Sequence, residues 1–379
     1  MQYRSFGKLD WQVSALGFGA MRLPVMDNEP SNINVPLAME MIRTAIDHGV
    51  NYVDTAYPYH RGQSEVLVGR ALQDGYREKV KLATKLPARQ VQSLDDFDRF
   101  LNEQLSRLQT DHIDFYLLHG LNMQSWPRLK EMDIFKPAKK AIADGRISHL
   151  GFSFHDDLEA FKEIIDAHDW TFCQIQYNYM DTHYQAGTEG LKYAVDKGIA
   201  VVVMEPIRGG QLAKQPPENV SQLWAKATIQ RSPAEWALQW VWNQPEVALV
   251  LSGMSTMQHV KENLVSANRS GVGSLTNEEL TLIKQVTDAY REVSPIPCTN
   301  CGYCMPCPNG VNIPGVFAIH NDAMIYGDAN RARMLYQIRI PEEKRADKCI
   351  ACEECLELCP QKIPIPEWME KSDELLKAR

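Results

Sequence analysis

Eight short apolar runs, each followed by a segment of helical period, organise residues 15 to about 268 of this 379-residue chain and leave few folds open to it. The runs are Ala15 to Met21, Asn51 to Thr55, Val80 to Thr84, Ile113 to Leu118, His149 to Ser153, Phe172 to Gln176, Ile199 to Met204 and Val247 to Leu251. They are continuous rather than alternating, the pattern of strands covered on both faces. Between them, Ser93 to Leu108 repeats Phe97, Leu101, Leu105 and Leu108 on one helical stripe. Eight strand-then-helix units predict an α/β protein built on a (β/α)8 TIM barrel. A hairpin, Tyr3 to Phe6 and Trp11 to Ser14 around Gly7-Lys8, is expected ahead of it. Additional helices are expected at Asn219 to Thr228 and Pro233 to Val241. A last one opens on Thr276 with Glu279, a capping-box pair, and continues through Leu282, Val286, Ala289 and Val293.

At Ser294-Pro295-Ile296-Pro297 the composition shifts to cysteine, proline and charge, which divides the chain into a barrel, 1–293, and a module, 294–379. Eight of the nine cysteines lie between Cys298 and Cys359, packing that reads as metal ligation in a reducing compartment rather than as disulfides. Cys173, in an apolar run, reads as a small buried hydrophobe. The second run, Cys349-x2-Cys352-x2-Cys355-x3-Cys359-Pro360, has the spacing of the bacterial [4Fe-4S] motif. The first, Cys298-x2-Cys301-x2-Cys304-x2-Cys307-Pro308, is one residue shorter before its last cysteine. Paired C-x2-C units also bind zinc, but four cysteines and a proline, twice, favour two iron–sulfur clusters. In two-cluster ferredoxins the fourth cysteine of each run serves the other cluster. That pattern groups Cys298, Cys301, Cys304 and Cys359 on one, and Cys349, Cys352, Cys355 and Cys307 on the other. The intervening segment reads helical in part from Ile313 to Gln337, so the module resembles the small, mainly helical ferredoxin-like domains of larger oxidoreductases.

A net charge of −8 argues against nucleic acid or an anionic membrane surface as a partner. No run is long and apolar enough to span a bilayer, and the N-terminus lacks a signal layout, so a soluble cytoplasmic protein is the expectation. Small molecules or proteins are the partners this leaves.

In a (β/α)8 barrel the working residues sit at the C-terminal ends of the strands. Asp54 ends the second run, Lys85 follows the third, His119 follows the fourth, and Tyr59 lies five residues beyond Asp54. A tyrosine is a weak acid, with an unperturbed pKa near 10. A neighbouring ammonium such as Lys85 would stabilise its anion, with Asp54 holding that lysine charged and His119 hydrogen-bonding a carbonyl oxygen. An Asp and a Lys on adjacent strands also suit a structural ion pair; it is the four residues on one barrel mouth that point to chemistry.

Over residues 1 to 293 the chain resembles the aldo-keto reductases. Asp54-Thr55-Ala56-Tyr57-Pro58-Tyr59 is similar to that family's Asp-x-Ala-x-x-Tyr, with Glu65 following, and Lys85 and His119 match its lysine and histidine. The resemblance implies hydride transfer between NADPH or NADH and a small carbonyl or alcohol substrate, with Tyr59 as general acid or base. It implies a cofactor laid across the barrel mouth, consistent with the lack of a Gly-x-Gly-x-x-Gly turn. It places Ser153 and Gln174 on the nicotinamide amide, with Phe154 standing where the family often has asparagine. Gly19, Ala20, Met21, Asp54, Glu205, Pro206 and Arg208 are implied as further cofactor contacts. Gly253, Met254, Ser255, Thr256, His259, Glu262 and Asn263 would form the adenosine-phosphate loop. Many NADPH-specific members have Lys or Arg where Gly253 and His259 fall, so both cofactors stay open.

Hydride transfer moves two electrons whereas a [4Fe-4S] centre passes one, and no flavin signature links them. The module therefore reads either as a lid over the pocket or as a route to a redox partner protein. A second functional class also remains, an electron-transfer subunit or redox sensor that uses the barrel as a nucleotide-binding platform.

Overall fold

A computed structural model describes residues 1–293 and 295–377. Ser294, where the composition shift opens, and the last two residues of the 294–379 module lie outside the described residues. The chain forms two compact units, Met1–Pro206 with Leu238–Ser274, and Ile207–Ala237 with Leu275–Arg379. Compactness therefore divides the chain differently from composition: Ile207–Ala237 and Leu275–Val293 group with the cysteine-rich segment.

In the first unit, β1 (Tyr3–Phe6) and β2 (Leu9–Ser14) form the expected hairpin. Eight parallel strands follow: β3 (Leu16–Gly19), β4 (Tyr52–Asp54), β5 (Lys81–Leu86), β6 (Ile113–Leu121), β7 (Ile147–Phe154), β8 (Phe172–Gln176), β9 (Ala200–Met204) and β10 (Val247–Gly253). They close in the order β10-β3-β4-β5-β6-β7-β8-β9. The first run is shorter than its apolar stretch suggests, because Ala20–Arg22 leaves the sheet in a 3-10 turn. The stripe predicted from Ser93 becomes the helix Asp95–Leu108, with Phe97, Leu101 and Leu108 buried and a left-handed Gln109 ending it.

Apolar side chains fill the barrel floor. Phe6 of the hairpin packs on Phe115 and Phe172 at centroid distances of 4.9 and 5.8 Å, in one cluster with Tyr52, Leu117, Val202 and Leu249. The hairpin can approach because Gly7 turns at φ +57; a Cβ there would lie 2.9 Å from the Ala200 nitrogen. With the floor sealed at the strands' N-terminal ends, polar side chains are left to the opposite mouth.

The second unit is helical. It contains Glu218–Trp224, Asn277–Val293, Ile313–Tyr326, Ala329–Arg339, Glu354–Leu358 and Ile365–Leu376. Thr276 and Glu279 form the capping box, Thr276 N donating to Oε2 at 2.9 Å and Glu279 N to the threonine hydroxyl at 3.2 Å. Trp224 and Trp236 stack at 4.9 Å, and Arg231 covers Trp236 while pairing with Glu279. The segment from Ile313 divides into two helices at Gly327, whose φ of +62 suits a left-handed cap. A core of Ile296, Val311, Val316, Phe317, Tyr336 and Met369 takes in Cys304, Cys355 and Cys359. No helix among the described residues is long and apolar enough to cross a membrane.

Candidate active site and cysteine module

The strand register brings the four sequence-selected residues of the mouth together. Asp54 is the last residue of β4, and Lys85 stands next to last in β5. Lys85 is fully buried, and its ammonium donates to both Asp54 oxygens at 2.7 and 2.8 Å and to the Thr55 carbonyl at 2.7 Å. All three of its protons are thereby engaged. Burial pushes Lys85 below and Asp54 above their ordinary values, each opposed by the other's charge.

Tyr59 begins the turn Tyr59–Gly62 and is half-buried. The Lys85 nitrogen lies 5.0 Å from its ring centroid, and His119 meets the ring edge-on at 5.9 Å and 80°. Sequence reasoning expected Lys85 to acidify this phenol. The resting site has another balance: burial first, then Asp54 and Glu205, hold Tyr59 well above its usual value, with Arg22 the opposing charge. A lysine paired at contact distance with Asp54 projects little net charge toward the ring, so the phenol rests protonated. His119 is pushed well below its ordinary range by burial, then by Lys85, His155 and Arg89, and is neutral near pH 7.

A second buried layer fixes the strand that carries Lys85. Gln104 donates to the Lys85 carbonyl at 3.0 Å and to Glu65 at 2.6 Å. Thr84 donates to the same Glu65 oxygen at 2.6 Å, and Arg107 pairs with the other at 3.2 Å.

Across the mouth, the Ser153 hydroxyl accepts from Gly120 N at 2.8 Å. The Gln174 amide nitrogen faces the Met204 sulfur at 3.4 Å, while its carbonyl oxygen is buried without a hydrogen-bond partner. Such an orphaned acceptor suits an amide N–H. Gly19 pairs in register with Asp54 on one side and Gly253 on the other. Ala20 is buried behind it, and Met21 is exposed. The helix Met257–Asn268 opens at Thr256, whose hydroxyl caps His259 N at 3.2 Å, and Ser255 N donates to the His259 ring. Asn263 donates to the Ser252 hydroxyl at 2.9 Å, and Glu262 accepts from Gln258 at 2.7 Å. The first turn of a helix generally favours anions. Met254 is fully buried. Glu205 holds a left-handed φ of 53 beyond β9, its carbonyl accepting from Asn178 at 3.2 Å, and Pro206 is buried. Arg208 belongs to the second unit, buried in the 3-10 segment Arg208–Ala213.

Arg22 escaped the sequence reading. Its aliphatic stem lies 3.2–3.3 Å from where a Gly253 Cβ would stand, and its charge is felt at Tyr59. It makes no hydrogen bond or ion pair among the described residues. An arginine just past the first barrel strand, in Gly19-Ala20-Met21-Arg22, was the available signal.

In the module, burial and then Cys301, Cys298 and Cys359 push the Cys304 thiol up. Burial raises Cys355 to about 11, with Cys349, Cys352 and Cys307 adding to the rise. Cys359 is thus among the charges acting on Cys304, and Cys307 among those acting on Cys355. No three described His, Cys, Asp or Glu side chains converge on one point as ligands of a single ion would. Asn300 N donates to the Cys298 sulfur at 3.4 Å, and the Asn309 amide approaches the Cys352 sulfur at 3.9 Å.

Comparison with known proteins agrees with both halves. Residues 15–288 match the Aldo/keto reductase family, and residues 297–363 match the 4Fe-4S dicluster domain. The uncharacterized oxidoreductase YqkF of Bacillus subtilis is 28% identical over 323 residues, spanning 77% of this chain and 99% of its own. The NADH-specific methylglyoxal reductase of Escherichia coli is 24% identical, covering 75% and 98%. Among solved structures, the holo form of aldo-keto reductase AKR11C1 from Bacillus halodurans superposes with a TM-score of 0.63 at 27% identity, over 76% of this chain and 96% of that one.

Proposed function

Because the chain belongs to the aldo/keto reductase family and carries a 4Fe-4S dicluster domain, we propose that it is an NAD(P)H-dependent oxidoreductase interconverting an aldehyde, ketone or sugar carbonyl and its alcohol. The observation that carries this reading is the buried Asp54–Lys85 pair lying under Tyr59 and beside neutral His119. A bound reduced nicotinamide would supply hydride to the carbonyl carbon. Tyr59, protonated at rest, gives its proton to the carbonyl oxygen, and the same group takes a proton back in alcohol oxidation. The neutral His119 imidazole donates a hydrogen bond to that oxygen and orients it. Lys85 and Asp54 set the field beneath the ring.

The chain's own groups fit a dinucleotide. The orphaned Gln174 oxygen and the Ser153 hydroxyl would receive the carboxamide, while Arg22 and the first turn after Thr256 would take phosphate oxygens. Glu262 and Asn263 would meet the adenine. The relative in E. coli is named for NADH, and both cofactors are candidates here.

In the module we assign one [4Fe-4S] cluster to Cys298, Cys301, Cys304 and Cys359 and another to Cys349, Cys352, Cys355 and Cys307, the grouping their mutual charge effects support. A redox partner protein is the natural counterpart of such a module.

Anaerobically purified protein is expected to hold about eight iron and eight sulfide per chain and to oxidise NADH or NADPH with members of an aldehyde and ketone panel. Zinc in place of iron would remove the cluster assignment; no oxidation with either cofactor would remove the enzymatic one. Ligand sharing has its own test. Cys298→Ser and Cys359→Ser are each expected to lower iron to about four per chain, and the double variant to lower it no further. If the double variant instead loses all iron, the two cysteines serve different clusters.

A further inference from the structure

The residue after Tyr59 has no part in the chemistry above, yet it is held in an unusual way. His60 sits at φ 52, ψ 39, and Arg61 follows at φ 53, ψ 39. This left-handed region suits glycine and disfavours residues with a Cβ, so two in succession need outside support. The support comes from the His60 ring. Leu23 N donates to its Nε2 at 3.1 Å, and its Nδ1 lies 2.7 Å from the Pro30 carbonyl. These partners require the proton on Nδ1 and a bare Nε2, hence a neutral imidazole.

One bond goes to a small back-folded segment and the other to Leu23, the residue that leads into it. From Pro24 to Asn34 the chain folds back on itself, Val25 bridging Ile33, with backbone bonds from Met26 N to Asn32 O and from Asn34 N to Pro24 O, each 2.8 Å. This hairpin follows Arg22 directly. Arg61 adds an exposed ion pair to Glu29 at 2.9 Å, a weak tie. Further along, the Ser64 hydroxyl donates to the Ala20 carbonyl at 2.9 Å. The segment bearing Arg22 is thus tied to the segment bearing Tyr59, and the His60 imidazole makes two of those ties.

We infer that His60 is a positioning residue: its neutral ring straps the Leu23–Asn34 hairpin to the Tyr59 turn and so fixes the phenol and Arg22 relative to each other. The inference rests on the role proposed for Tyr59. Burial keeps His60 below its ordinary value, with the Pro30 and Met21 backbones opposing. Of the charged groups nearby, Arg61 and Glu29 pair with each other, while Arg22, Asp54 and Glu205 act on Tyr59. A histidine whose folded value is lowered contributes its full stability above the ordinary range, and loses it as pH falls through the lowered value. Below that point a protonated Nε2 faces the Leu23 N–H, donor against donor, and the strap opens.

His60→Gly separates the ring from the backbone, since glycine accepts the left-handed turn without strain. In the cofactor-free protein at about pH 8, the Leu23 amide is expected to lose roughly tenfold in hydrogen-exchange protection on this substitution, the worth of one hydrogen bond. Wild-type Leu23 should lose protection between about pH 7 and pH 5, while the glycine variant stays flat. With substrate, kcat is expected to fall about tenfold and its acid limb to disappear. Unchanged Leu23 protection would overturn the strap, and changed protection with wild-type kcat would overturn the positioning role. Wild-type protein inactive on every carbonyl would sink the proposed function instead, and the exchange measurement would still decide the strap.

Discussion

Tyr59→Phe is expected to lower carbonyl reduction by about 10²- to 10⁴-fold in kcat, the worth of a positioned general acid. The substitution removes one oxygen and keeps the ring that packs edge-on against His119. Stability and cofactor affinity should therefore change little, which fluorescence titration and thermal melting would verify. The expectation is sharpened by how the other tetrad members are committed. His119 is neutral and cannot replace the lost acid at neutral pH. The three Lys85 protons are engaged by Asp54 and Thr55. Near-normal turnover in this variant would take the proton-donor role away from Tyr59. Because burial holds the phenol above its usual value, reduction by the wild-type protein should also show no alkaline loss from this group until above about pH 10.

The second large effect is on stability. Asp54→Ala leaves the Lys85 ammonium, whose side chain has no exposed surface, with the Thr55 carbonyl as its remaining partner. Breaking one side of a buried pair typically costs about 3–5 kcal/mol, and a urea midpoint falling by that equivalent is the expected result. Lys85→Met, which strands the Asp54 carboxylate, should cost a similar amount. The double variant Asp54→Ala with Lys85→Met removes both charges and should recover most of the loss, since an apolar replacement of a buried pair is often near neutral. All three should be inactive. This cycle separates the two readings an Asp and a Lys on adjacent strands admit. A purely structural pair would give a double variant that is both stable and active.

Much of the barrel was legible because its signal is local. Eight continuous apolar runs each became a parallel strand, and the Thr276–Glu279 capping box formed as spaced. Boundaries were less so. The run Ala15 to Met21 contributes only Leu16–Gly19 to the sheet, because its hydrophobicity continues into a 3-10 turn of which only Ala20 is buried. Composition placed a boundary at residue 294; compactness groups the helices Glu218–Trp224 and Asn277–Val293 with the module, while the family match runs to residue 288. An apolar stripe says that a helix buries a face and does not say against what.

The site divides in the same manner. Asp54, Lys85 and His119 stood out by their positions at strand ends and Tyr59 by its place five residues beyond Asp54, but their electrostatics did not. Which acceptors take the Lys85 protons depends on the stagger between β4 and β5, and that decides whether the phenol feels a free ammonium or a compensated pair. Arg22 and His60 were invisible because neither carries a motif. Their meaning lies in the packing of Arg22 beside Gly253 and the bonds of His60 to Leu23 and Pro30, residues brought near by closure of the sheet and a backward-folding hairpin.

By itself, then, the sequence determined the chemistry available: a barrel with an acid, a lysine, a carboxylate and an imidazole at one mouth, and two cysteine runs whose spacing is that of iron–sulfur ligands. Only the tertiary structure decided how those groups are charged and held. Spacing along the chain records which atoms a protein has to work with, whereas burial, hydrogen-bond direction and ionisation depend on neighbours distant in sequence.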